Sequence, residues 1–239
     1  MVSAMESRFE RYTEMMVKAL GHASREQPAC WYLRGLMLPG ERKSVEPMAA
    51  RVHPQDVRSA HQRMHHLVAD APWSDQALLS AVAGEVVPAL SRGGPCYWII
   101  DDTGMRKYGQ HSVGVARQYC GQLGKTENCQ VAVSLSLATL SGSLPVAWRL
   151  YLPREWTDDA ERCKAAGVPK TVGFATKGEL AWVQIESALA AGIPKGVVLA
   201  DAGYGDEAAF RDRLEATVPV TSSGSSSNGP WVSRNPPNT

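Results

Sequence analysis

Two adjacent acids, Asp101 and Asp102, close the apolar run "CYWIIDD", and another, Asp201, closes "GVVLAD" about 100 positions later. Ionised carboxylates are rarely buried alone, because desolvation is expensive, so these acids must meet a cation, a hydrogen-bond network or solvent. Carboxylates brought together repel one another unless positive charge sits between them. A hard divalent cation such as Mg²⁺ answers that need, since it prefers carboxylate oxygens and water and bridges to phosphate. Such a site suits phosphodiester chemistry, where two metals activate the nucleophile and stabilise the leaving oxygen of an in-line displacement. A plainer reading stands beside it, in which the first two acids mark a strand end and start a turn through Thr103 and Gly104.

The elements around these acids decide whether they can meet. Residues 5–90 read as helical. "ESRFERYTEMMVKAL" sets Phe9, Tyr12, Met16 and Leu20 on one stripe, "PQDVRSAHQRMHHLVAD" opens at Pro54, and "SDQALLSAVAGEVVPAL" has Ser74 as its N-cap. "LPGERKSVEP" between them carries turn residues without periodicity. From residue 96 the pattern changes to strands: "CYWIIDD", then the alternating "QVAVSLSLATL", then "LPVAWRLYLP" after an "SGS" turn. "TDDAERCKAAG", with Thr157 as N-cap, and "TKGELAWVQIESALAAGIP" read as helices, followed by the short buried strand "VVLAD" and a helix with Phe210 and Leu214 on one face. A meander followed by a strand reached through helices implies a mixed sheet with covering helices, an α/β architecture. In such a sheet the first and fourth strands can lie side by side, which would bring Asp101 to Asp201.

Composition narrows the function classes. With 44% hydrophobic and 21% charged residues, the chain is that of an ordinary globular protein. Lys and Arg number 25 against 24 acids, so bulk charge does not itself point to nucleic acid, though a local patch can. No apolar run is long enough to span a bilayer and the N-terminus lacks a signal-peptide pattern, so a cytoplasmic protein without a membrane partner is expected. Five cysteines without a CxxC pair suggest neither a disulfide framework nor a zinc cage. His61, His65 and His66 lack a supporting ligand spacing and read as surface or interface residues. Between 103 and 129, Arg106, Lys107, Arg117 and Lys125 oppose only Glu127, a basic stretch able to contact phosphates or simply to be solvated. Tyr204, between Gly203 and Gly205, reads as a turn aromatic that could also help shape a site.

"IIDDTGMRKYGQHSVGVARQYCGQLGKTENCQVAVSLSLA", with "WRLYLPREWTDD" and "VVLADAGYGD" after it, closely resembles the DDE-type transposases of bacterial insertion sequences, in the insertion sequence 701 group. The likeness runs from about residue 8 to about residue 215 and includes "RGLMLPGERKSVEPMA". It implies a ribonuclease H-like catalytic core in which three acids bind two Mg²⁺ ions, and the helical periodicity ahead of it reads as a small all-helical domain. Matched residue by residue, Asp101 is the first acid and Asp201 the second. Asp102 is the fallback for the first position, because adjacent strand residues point to opposite faces. The implied reaction is DNA transposition: metal-dependent cleavage at the element's ends, then attack of the freed 3′-hydroxyl on target DNA. DNA partners and a homo-oligomer, or a mixed oligomer with a full-length transposase, are implied with it.

The third acid, a Glu on a later helix in that family, has no counterpart to assign, since Glu207 and Glu215 belong to the helix right after the fourth strand. The expected organisation is a helical region at 1–92 with possible DNA binding, a partial catalytic domain at 93–218, and a disordered or frameshifted tail at 219–239 rich in Ser, Gly, Asn and Pro. A C-terminally truncated, inactive transposase is therefore expected, with an incomplete two-metal site. A non-catalytic DNA-binding remnant that regulates a full-length transposase is the alternative, and an unrelated metal-dependent phosphatase or nuclease is a third reading.

Overall fold

A computed structural model describes residues 4–217 and 231–234. The chain divides into two compact units, Met1–Glu85 and Val86–Thr239. In the first, the described elements are helical: α1 (Ala4–Leu20), α2 (Glu26–Met37), α3 (Val45–Val52), α4 (Val57–Ala69) and the start of α5 (Asp75–Leu90). Leu20, Ala29 and Leu67 form one buried cluster, packed by Val17, Trp73 and Leu78. Met48, Ala49, Ala60 and Met64 form another beneath Trp31 and Tyr32. Gly35 lets α2 meet α3, since a Cβ there would lie 2.7 Å from that of Met48.

Local signals were partly read. Ser74 does cap α5, accepting from the Ala77 N–H at 3.1 Å. Pro54 opens a short 3₁₀ turn, and Asp56 rather than the proline caps α4, accepting from Ser59. The stretch "LPGERKSVEP" was expected to be a connection, yet α3 begins inside it at Val45. Its Pro47 falls in the first turn, where a missing N–H breaks no helical hydrogen bond.

The second unit is built on a mixed sheet. Its strands are β1 (Tyr97–Arg106), β2 (Ala116–Cys120), β3 (Lys125–Thr139), β4 (Gly142–Leu150), β5 (Val197–Asp201) and β6 (Trp231–Arg234). The order is β2-β3-β1-β5-β6, with β4 also pairing with β3. β1 to β4 pair antiparallel with their neighbours, whereas β5 runs parallel to β1 and β6 parallel to β5. The helices between and after β4 and β5 are α6 (Arg154–Thr157), α7 (Ala160–Ala165), α8 (Lys177–Ala190), α9 (Ala202–Gly205) and α10 (Ala208–Thr217). The mixed sheet with helices and the adjacency of the two acid-bearing strands agree with the sequence reading.

Four details correct it. β1 does not end at its acids but runs four residues further, to Arg106, so Asp101 and Asp102 sit in mid-strand, paired with Ser134 and Val133. Thr103 and Gly104 are strand residues rather than a turn. A Cβ on Gly104 would lie 2.7 Å from Cys120 Sγ, so the glycine is there for close approach. The polar stretch after β1 holds a strand of its own, β2. Asp159, not Thr157, caps α7, by accepting from the Arg162 N–H, and Thr157 ends α6. Of the tail expected to be disordered, Trp231–Arg234 form a strand beside β5, and the rest lies outside the described residues.

The two faces of the sheet differ. Trp98, Ile100 and Asp102 pair with Leu137, Leu135 and Val133, and all of these but Asp102 are buried. α8 packs on β3 and β4, with Gln184 Nε2 donating to the Val133 carbonyl at 3.2 Å. On the opposite face Tyr97, Ile99 and Asp101 pair with small residues, Ala138, Ser136 and Ser134. There Trp148, opposite Ser134, and Val197, beside Tyr97, remain exposed.

Candidate active site

Strand alternation sends Asp101 and Asp102 to opposite faces. The parallel register Tyr97↔Val197, Trp98↔Val198, Ile99↔Leu199 ends two residues before Asp101 on β1 and two before Asp201 on β5, so the two acids stand at equivalent steps past the last pair. Asp101 is exposed, and its Oδ1 accepts from the neighbouring Asp102 N–H at 2.8 Å. Asp201 is exposed as well, at the point where β5 passes into α9.

Asp102 is half-buried and fully engaged. Its Oδ2 accepts from the Lys177 ammonium, and its Oδ1 accepts from the Tyr204 hydroxyl at 2.5 Å. Tyr204 is buried, packs its ring on Phe210, and donates its backbone N–H to Asp201 Oδ1 at 3.3 Å. One tyrosine thus holds the second acid of β1 with its hydroxyl and the acid of β5 with its backbone. Burial drives the phenol's pKa well above its ordinary value, and Asp102, Asp201 and Asp101 push it further in the same direction. All three carboxylates therefore act on one hydroxyl.

Lys177 is the first residue of α8, whose start is tightly fixed. Thr176 Oγ1 accepts from the Glu179 N–H at 3.1 Å while Glu179 Oε2 accepts from the Thr176 N–H at 2.7 Å, a reciprocal cap. Glu207 Oε2 accepts from the Thr176 hydroxyl at 3.3 Å, over Gly178, where any Cβ would strike that carboxylate. Glu207 is thus engaged at the cap, and Glu215 lies exposed on α10.

The sequence reading offered Tyr204 as a turn aromatic that could also help shape a site, and it did not include Lys177. A signal for the lysine was present. A cation in the first helical turn opposes the helix dipole, so Lys177 directly after its N-cap needed a carboxylate to justify it. The four cations singled out between 103 and 129 gather at one end of the sheet. Arg106 pairs with Cys129, Arg117 with Asn128, and Lys125 with Cys120; Lys107 donates its N–H to the Asn128 carbonyl. Lys125 and Arg106 lie 3.4 and 4.0 Å from Glu127, which offsets part of their charge, while Arg117 is exposed. Backbone and lysine contacts hold the Glu127 carboxyl below its usual pKa. In the helical unit His65 and His66 are exposed, and His66 Nδ1 lies 3.5 Å from Asp70 Oδ2, an acid one turn on that the sequence reading overlooked.

The oxygen donors of Asp101, Asp102 and Asp201 are of the type a hard divalent cation takes. Their number is the weaker point: among the described residues no group of three or more His, Cys, Asp or Glu side chains is arranged to hold a metal ion, and Asp102 is already engaged. A family model described as DDE superfamily endonuclease matches residues 15–228. The chain belongs to this family. A protein named "Probable transposase for insertion sequence element IS701", from Microchaete diplosiphon, is 32% identical over 145 residues, covering 61% of this chain and 35% of the relative. The matched part is thus about a third of the relative's length. DDE superfamily endonucleases generally use divalent metals, and the mixed sheet with flanking helices fits that family's nuclease fold. Among the described residues no helix is long and apolar enough to cross a membrane.

Proposed function

We propose that this DDE superfamily endonuclease serves DNA transposition, by metal-dependent cleavage of a phosphodiester at an element's ends and strand transfer into target DNA, on a ribonuclease H-like core. The observation that supports the reading is the parallel pairing of β1 with β5, whose last pair, Ile99↔Leu199, lies two residues before Asp101 on one strand and Asp201 on the other. Asp101 and Asp201 would hold the divalent cation, Mg²⁺ by the chemistry of the donors, with Asp102 as the alternative first acid. When bound, the cation lowers the pKa of water and stabilises charge on the leaving oxygen. The chain's own part is to hold the two carboxylates on paired strands, rigidly and at the surface where DNA can reach them. Arg106, Lys107, Arg117 and Lys125 would contact phosphates at the far end of β1 to β3.

No residue of this chain is assigned as a third acid. Two carboxylates retain a cation weakly, so little strand cleavage is expected of this polypeptide alone. The test is nicking of a supercoiled plasmid bearing element ends, with and without Mg²⁺. Cleavage that depends on the metal and is lost in Asp201→Ala supports the assignment of the acids and removes the expectation of inactivity; cleavage untouched by that substitution overturns the assignment. A second reading rests on the clustered cations: a non-catalytic DNA-binding protein that modulates a full-length transposase, alone or in mixed oligomers, with the helical region at 1–92 contributing to binding. That role requires DNA affinity that survives loss of Asp101 and Asp201, weakens as salt rises, and drops in Arg117→Ala.

A further inference from the structure

The charge arrangement at Asp102 points beyond a list of ligands. Lys177 stands in the first turn of α8, where the helix dipole makes a cation unfavourable, and its ammonium is held on Asp102 Oδ2. Its Nζ also lies 5.7 Å from the centroid of the Tyr151 ring. The reciprocal Thr176–Glu179 cap and the Glu207–Thr176 contact fix the backbone from which the lysine reaches. Tyr204 contacts both acids, donating its hydroxyl to Asp102 Oδ1 and its backbone N–H to Asp201 Oδ1.

We infer that Lys177 is a resident counter-cation: in the metal-free protein its ammonium supplies the positive charge that Asp102 needs, and a divalent cation that takes Asp102 as a ligand must displace it. The inference rests on the alternative reading above, in which Asp102 is the first acid and binds the metal with Asp201, and it makes Lys177 a positioning residue rather than a ligand. It also gives the fallback acid of β1 a role distinct from that of Asp101. Asp101 is exposed and accepts from the Asp102 N–H, whereas Asp102 is held in place by Lys177 and Tyr204 and is withheld until Lys177 leaves. A monovalent ammonium that gives way to a divalent ion would keep the acids from repelling one another while the protein waits for metal.

The experiment is Mn²⁺ binding to the full chain, read by electron paramagnetic resonance of the free ion, in the wild type, Lys177→Met, Asp201→Asn and the double variant Lys177→Met/Asp102→Asn. Removing the competing ammonium is expected to tighten Mn²⁺ binding about threefold to tenfold, the range set by a partly exposed ion pair. The double variant is expected to lose that gain. Unchanged or weaker binding in Lys177→Met, with a site that still depends on Asp201, overturns the inference and leaves the reading of the acids intact. Absence of any Asp201-dependent Mn²⁺ site, in the wild type and in Lys177→Met alike, overturns both. A measurement on the wild type covers the case in which Lys177→Met fails to fold. Acylation of Lys177 by an N-hydroxysuccinimide ester, followed by peptide mass spectrometry, is expected to rise when Mn²⁺ is added and to stay level in Asp102→Asn. Equal acylation of the wild type with and without Mn²⁺ overturns displacement.

Discussion

The two faces of the central sheet carry the same backbone and opposite fates. On the α8 side, Trp98, Ile100, Leu135 and Leu137 are buried, and Asp102, in their row, is tied to Lys177 and Tyr204. On the other side, Tyr97 and Ile99 are half-buried, Trp148 is exposed, and Asp101 is left to solvent. Two acids adjacent in sequence are thus separated by the period of the strand. Burial forces partners on one of them, while exposure leaves the other free to bind whatever arrives.

The largest effect is expected where that contrast is packing. Trp98 is fully buried and donates its indole N–H to the Pro194 carbonyl at 2.9 Å. Trp98→Ala is expected to lower stability by about 3–5 kcal/mol, as large-to-small changes in a core do. Ile99→Ala, one residue on and half-covered, is expected to cost about 1 kcal/mol. Denaturant melts of the two variants make the comparison, and equal losses would mean that the open face is covered too.

Much of this layout was legible. Alternation in "QVAVSLSLATL" gave β3, the pattern of "TKGELAWVQIESALAAGIP" gave α8, and glycines framed the short strand that ends at Asp201. The length of β1 was not legible, because the acids, threonine and glycine after Ile100 look like a turn. Their strand conformation comes from pairing with β3, a contact nearly 30 residues away. β2 was hidden for the same reason: "ARQYC" takes its register from residues 125–129. At the site, residue types found the carboxylates, since acids after apolar runs are conspicuous. The partners of Asp102 were hidden because Lys177 and Tyr204 are brought to it only by the tertiary fold, from 75 and 102 positions away.

A second pair of variants sharpens the contrast between the acids. The ion pair of Asp102 is part-buried, with Lys177 34% and Asp102 23% exposed. Asp102→Asn leaves the ammonium without its partner and is expected to cost about 1–2 kcal/mol, between the values for surface and buried pairs. Asp101→Asn is expected to stay within about 0.5 kcal/mol of the wild type, as surface changes do. A larger loss from Asp101→Asn would reveal a partner that the open face does not show.

Tyr204→Phe probes the same link through pH. It removes the hydroxyl that Asp102 accepts from and is expected to cost about 1 kcal/mol near neutrality. Because burial first, and Asp102 next, raise the phenol's pKa in the folded protein, the folded chain keeps this proton where the unfolded chain loses it. The contribution is full below the ordinary tyrosine value of about 10 and falls away as pH rises beyond it. Stability measured from pH 8 upward is therefore expected to fall less steeply in Tyr204→Phe than in the wild type. Parallel profiles would mean that the hydroxyl is not held as the geometry has it.

The smallest effect concerns the one flaw of the packed face. Gln184 is 1% exposed and donates to the Val133 carbonyl, but among the described residues its Oε1 has no hydrogen-bond partner. A buried, unsatisfied amide oxygen carries its full desolvation cost, which is comparable to what the single donated bond returns. Gln184→Met keeps the length of the side chain and removes both terms. Its stability is expected to match the wild type or exceed it by up to about 1 kcal/mol. A clear loss instead would mean that the oxygen is satisfied by water between α8 and the sheet. The buried face would then be a polar, hydrated layer at its centre rather than the dry counterpart of the open one.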